Sequence, residues 1–88
     1  MHSYYLARSK RGHDAGEVYM VIGEEAGRLL CVNGTNRGLD KPKPKNPAHM
    51  QPILRGDWKT ALTERPDDCC IKRCIRIYLK NEDPKEEA

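Results

Sequence analysis

Phenylalanine is absent from this 88-residue chain, and one tryptophan and four tyrosines supply all its aromatic surface. The core must come from Val, Ile, Leu and Met with a few Tyr, and a chain this short buries a small one. No apolar run approaches the ~20 residues that a membrane span needs. Met1-His2-Ser3 opens without the basic region and apolar stretch of a secretory leader, so no signal peptide is expected. The spaced cysteine pairs of a structural zinc site are also missing. Cys69, Cys70 and Cys74 crowd into one helical stretch, and Cys31 lies in a strand-like run. Adjacent Cys69 and Cys70 would strain a disulfide between them. Cys31 and Cys74 read as small buried apolar residues. Reduced thiols and a cytoplasmic setting follow. A Cys–His pair with His13 or His49 as base lacks a third, orienting residue and an oxyanion hole. No catalytic residue, cofactor or metal is therefore expected.

What the chain does carry is cation. Residues 1–80 hold a net +6, and residues 81–88 a net −3. A basic body suits a polyanionic partner, and ordinary solubility charge produces the same count.

The pattern predicts a mainly β chain with a C-terminal helix. Residues 4–9 read as a first strand. Gly12 and Gly16 bracket a tight turn, with Asp14 placed to bond neighbouring backbone amides. Residues 17–23 read as a second strand, with Val18, Met20 and Ile22 on one face and Tyr19 and Val21 on the other. Both faces are apolar, so this strand is expected to be central. Residues 23–27 read as a loop and residues 28–32 as a third strand. Asn33-Gly34 is a strong hairpin signal, so a short fourth strand is expected over Thr35–Leu39.

Pro42, Pro44, Pro47 and Pro52 each lack an amide donor, so 40–52 is expected to be irregular and extended at its start. A last strand around His49–Leu54 is confined to an edge by Pro52. Trp58 to Leu62 suits a helical turn that drops both residues onto the sheet. Residues 67–80 form the clearest helix: Asp67 and Asp68 suit its cap and first turn. Ile71, Cys74, Ile75, Tyr78 and Leu79 make its apolar stripe. The expected organisation is one compact unit over 1–56, a helical extension over 57–80 and a disordered acidic tail over 81–88.

The run Arg8-Ser9-Lys10-Arg11-Gly12-His13-Asp14-Ala15-Gly16 is followed by Val18 to Ile22. Asn33-Gly34-Thr35-Asn36-Arg37 comes next, then Lys41-Pro42-Lys43-Pro44-Lys45-Asn46-Pro47-Ala48-His49. In this order and spacing the chain resembles the bacterial KOW-domain RNA-binding proteins, relatives of certain archaeal and eukaryotic large-subunit ribosomal proteins. The resemblance spans roughly residues 4–54. It implies a small SH3-like β-barrel and RNA or ribosome binding.

Under that resemblance the RNA-binding candidates are Arg8, Lys10, Arg11, Arg37, Lys41, Lys43, Lys45 and His49, with Gly12, Asp14, Gly16, Asn33 and Gly34 shaping the turns. Prolines hold the Lys41–Lys45 segment extended, which lowers the entropy lost when its ammonium groups line up on a phosphate backbone. Lysine reads charge and not sequence, so these contacts position more than they specify. Solvated linker and surface salt bridge are the alternative readings of the same residues. Tyr4, Tyr5 and Tyr19 are either base-stacking platforms or core. The expected partner is RNA, with ribosomal proteins beside it, and the chain is expected to be monomeric. The competing class is an SH3-like protein-interaction adaptor, which needs an exposed aromatic groove.

Overall fold

The computed structural model describes residues 4–82. Among these residues five antiparallel strands form one sheet in the order β4-β3-β2-β1-β5. They are β1 (Tyr5–Ser9), β2 (Val18–Glu25), β3 (Arg28–Val32), β4 (Lys43–Lys45) and β5 (Met50–Ile53). A 3-10 turn, Pro47–His49, joins the last two, and two helices follow, α1 (Trp58–Ala61) and α2 (Asp68–Glu82). The helix thus enters the stretch expected to be an acidic tail; residues 83–88 of that stretch lie outside the described residues. No described helix is long and apolar enough to cross a membrane.

The central position expected for β2 is observed. It pairs with β1 on one side and β3 on the other. Its alternation splits the core in two. Val18 and Met20 join Leu6, Val32, Trp58, Ile71 and Cys74 under the helices. Tyr19 and Val21 join Ala7, Cys31 and Met50 on the opposite face. That second cluster is built from strand residues alone, so the sheet itself must wrap over it.

Connectivity demands the same curl. β4 and β5 are the two edges, and only residues 46–49 separate them. In a flat sheet these edges would stand about 19 Å apart. Residues 45 to 50 reach about 18 Å only when fully extended, and most of the link is coiled. A β-bulge at Ile22, where Val21 faces Cys31 but Gly23 faces Leu30, adds bend and twist. Hydrogen bonds do not close the ring: among the described residues β4 and β5 are not paired, so the sheet is curled but open.

Several local expectations change. The loop expected over 23–27 is shorter, because β2 runs on to Glu25 and pairs it with Arg28. Ala26 and Gly27, at φ 53° and 78°, make the two-residue turn, and two successive positive φ values suit a type I′ hairpin. Asn33-Gly34 is not a hairpin, and no strand forms over 35–39. The Asn33 carboxamide oxygen instead accepts from the amides of Thr35 and Arg37, both at 3.0 Å. Those local bonds outcompete a ladder. Gly34, at φ 80°, lies against the first turns of α2; a Cβ there would meet the Asp68 carbonyl at 2.5 Å.

The fourth strand forms instead within the stretch expected to be irregular. Its middle residue, Pro44, is tolerated because β4 is an edge. Pro52 sits in the other edge strand, as expected. The Asp67 carboxylate caps α2 by accepting from the Cys70 amide at 2.8 Å. Along the expected stripe Ile71 and Cys74 are fully buried, whereas Leu79 is 43% exposed. Trp58 is buried, as expected, and its indole N–H donates to the Arg55 carbonyl at 2.9 Å.

Candidate nucleic-acid interface

The turn between β1 and β2 is where the expected basic segments meet. Gly12 and Gly16, at φ 93° and 94°, allow its reversal. The Gly16 amide donates to the Ser9 carbonyl at 2.7 Å and closes it. Asp14 plays a different part from the expected one. Its carboxylate accepts from side chains: Ser9 Oγ at 3.0 Å, Tyr19 Oη at 2.8 Å, Lys43 Nζ at 3.2 Å and Lys45 Nζ at 2.9 Å.

The strand pleat explains the convergence. Lys43 faces Cys31 across the β3–β4 ladder. Lys43 and Lys45 therefore share the inner face with Tyr19 and Cys31. Their side chains reach along it to the mouth that the turn covers.

Burial by itself would push the Asp14 carboxyl up. Bonds from Lys45, Tyr19, Lys43 and Ser9 outweigh it and hold the carboxyl well below the usual carboxylate range. Burial and the Asp14 carboxylate both push the Tyr19 hydroxyl up. The Asp14 side chain is only 13% exposed, so this is a largely enclosed network. It ties the turn to the edge strand β4.

The expected RNA-binding residues therefore fall into groups. Lys41 is exposed, Lys43 is half-buried, and the Lys45 side chain is 11% exposed. The segment is a strand bound to Asp14, not a solvated loop, so Lys43 and Lys45 already hold an anion of the protein. Lys10 and Arg11 are exposed beside that network. The Lys10 amide donates to the His49 carbonyl at 2.8 Å and brings the 3-10 turn alongside.

Arg8 belongs elsewhere. Its guanidinium donates to the Gly16 carbonyl at 2.9 Å and to Tyr78 Oη at 3.5 Å, and lies 5.8 Å from the Tyr78 ring centroid. Arg8 shares the face of Leu6, so it points to α2 and staples the turn to the helix. Arg37 lies in the 33–37 loop, its carbonyl accepting from the Asn33 and Gly34 amides.

Tyr19, 5% exposed, and Trp58, 1% exposed, are core residues and not stacking platforms. Burial pushes the Cys31 thiol up to about 11, and burial with Cys70 nearby pushes Cys74 up to about 12. Among the described residues no three His, Cys, Asp or Glu gather as a metal site.

One basic feature was missed from sequence. Lys72, Arg76 and Lys80 line one side of an open groove of 660 Å³ between α2, the start of β2 and the 33–35 loop. Val18, Ile75 and Leu79 supply its apolar lining. The i, i+4, i+8 spacing of the cations was the available signal. It places them off the apolar stripe, where they favour the C-terminal dipole of the helix, and nothing local shows what lies beside them. A scan against protein-family models finds no match for the chain, and a search of curated proteins finds none either.

Proposed function

We propose that the chain is a non-catalytic RNA-binding module of the KOW kind on a small SH3-like barrel, acting on structured RNA such as that of the ribosome. The barrel reading draws support from the strand order, the forced curl and a core cluster enclosed by strands alone. The Asp14 network ties the β1–β2 turn to the edge strand β4.

The observation that carries the RNA reading is the gathering of basic residues from three distant segments at one mouth of the sheet. Lys10 and Arg11 come from the first turn, Lys43 and Lys45 from β4, and His49 from the 3-10 turn. With Lys43 and Lys45 engaged by Asp14, the exposed Lys10, Arg11 and Lys41 make the first contacts with phosphate. The protein-interaction alternative loses ground because Trp58 and Tyr19 are unavailable for an aromatic groove.

Fluorescence anisotropy tests the reading. A labelled RNA hairpin is titrated with the wild type and with a Lys10→Ala, Arg11→Ala, Lys41→Ala variant at several salt concentrations. Affinity should fall steeply with salt, and the variant should bind about tenfold more weakly, because each phosphate contact releases counterions. Absence of binding at low salt, or binding indifferent to salt, refutes it.

A further inference from the structure

We propose that the groove between α2 and the start of β2 is a second nucleic-acid site that takes a single-stranded RNA segment, phosphates on the helix side and bases on the apolar lining. The inference rests on the RNA reading but uses other residues.

Lys72, Arg76 and Lys80 are exposed and occupy successive turns of one helix face. Four residues of helix rise about 6 Å. The row therefore presents one cation about every 6 Å, a spacing near that of successive phosphates along an extended strand. A duplex does not fit the same geometry: it is a rigid cylinder whose bases are stacked inward, and it would leave the apolar lining uncovered.

That lining supplies the second half of the match. Val18 is buried, Ile75 is half-buried, and Leu79 is the large apolar side chain that α2 leaves exposed, at 43%. Unstacked bases have apolar faces that such residues cover. Among the described residues no aromatic lines the groove, so stacking is weak and base identity little read.

The opposite side carries Glu17, next to Gly16 and Val18. A carboxylate there repels phosphate and accepts hydrogen bonds from ribose hydroxyls or base amino groups. Cations on one side and an anion on the other thus orient the strand across the groove. An acidic peptide has the charge for the helix side, but its second row of carboxylates would face Glu17.

The test uses the full chain and two labelled probes, an eight-nucleotide oligouridylate and an RNA hairpin. Three proteins are compared: the wild type, a Lys72→Ala, Arg76→Ala, Lys80→Ala variant, and the Lys10→Ala, Arg11→Ala, Lys41→Ala variant. All substituted side chains are exposed, and circular dichroism checks the fold. For the oligouridylate, the α2 variant should lower the slope of log affinity against log salt by about 2, the value for three single-strand phosphates. Leu79→Ala should weaken the oligouridylate several-fold while leaving the slope unchanged.

An unchanged slope in the α2 variant, with binding lost in the Lys10, Arg11, Lys41 variant, overturns the groove and leaves the RNA reading standing. Equal loss of hairpin and oligouridylate in the α2 variant also overturns it, because single-strand selectivity is then absent. Wild type that binds neither probe overturns both. Polyglutamate competing as well as oligouridylate of equal charge reassigns the groove to an acidic protein partner.

Discussion

Asp14 is the residue on which the most structure turns. One enclosed carboxylate holds two lysines, a tyrosine and a serine. Asp14→Asn keeps the shape and removes the charge. It should cost about 2 kcal/mol, the scale of losing hydrogen bonds to a charged group, read by urea denaturation. The pH dependence has a definite sign. The folded carboxyl lies below its unfolded value, so the native state binds fewer protons. Its stabilisation is fully present above the unfolded carboxyl value of about 3.9 and is lost as pH falls toward the folded one. Wild type should therefore lose stability below about pH 4 more steeply than Asp14→Asn does. Gly34 is the second sensitive position. Gly34→Ala combines a strained positive φ with a clash against the backbone of α2 and should cost at least about 2 kcal/mol, seen as a lower melting temperature. Neither role was readable from the residue alone. Asp14 read as a turn former that bonds its own backbone, and Gly34 as a hairpin residue. The partners that set their roles, Lys43, Lys45 and Asp68, come from later in the chain.

Among the elements, β2 was the most legible, because apolar residues on both faces can only be satisfied by neighbours on both sides. β3 and α2 were legible for related reasons, a short bounded apolar run and a capped 3.6-residue period. The β2–β3 hairpin was not. Glu24 and Glu25 look like loop residues, yet they pair in the ladder, and the turn is made by Ala26-Gly27. A non-glycine residue at φ 53° is unfavourable by about 1 kcal/mol. Ala26→Asn places an Asn-Gly pair in that turn and should raise stability by up to that amount, measured as a higher denaturation midpoint. β4 was hidden by its prolines. Pro44 argues against a central strand but not against an edge, and edge position depends on which strands pair. The Leu79 end of α2 was read as core because period alone assumes that the sheet extends along the whole helix. Leu79 instead lines the open groove between α2 and the start of β2.

The molecule as a whole divides its charge between a basic body and an acidic end. Residues 83–88 carry Asp83, Glu86 and Glu87 against Lys85. Removing them raises the net charge by two. A chain truncated after Glu82 should bind RNA more tightly at low salt, with the advantage vanishing as salt screens the field; anisotropy against salt measures both. Weaker binding after truncation would mean that those residues contact RNA.

Composition and periodicity were enough to establish a β-rich chain with one C-terminal amphipathic helix, a central β2 and a basic body. Those properties are local, or sum over the chain, and survive any arrangement of the strands. Folding together assigned the lysines of β4 to an internal carboxylate, turned Arg8 toward Tyr78 and set Lys72, Arg76 and Lys80 beside an apolar groove. Each of those outcomes depends on contacts between residues far apart in the chain. Such contacts follow from the pairing order and curl of the sheet, which no local stretch of residues encodes.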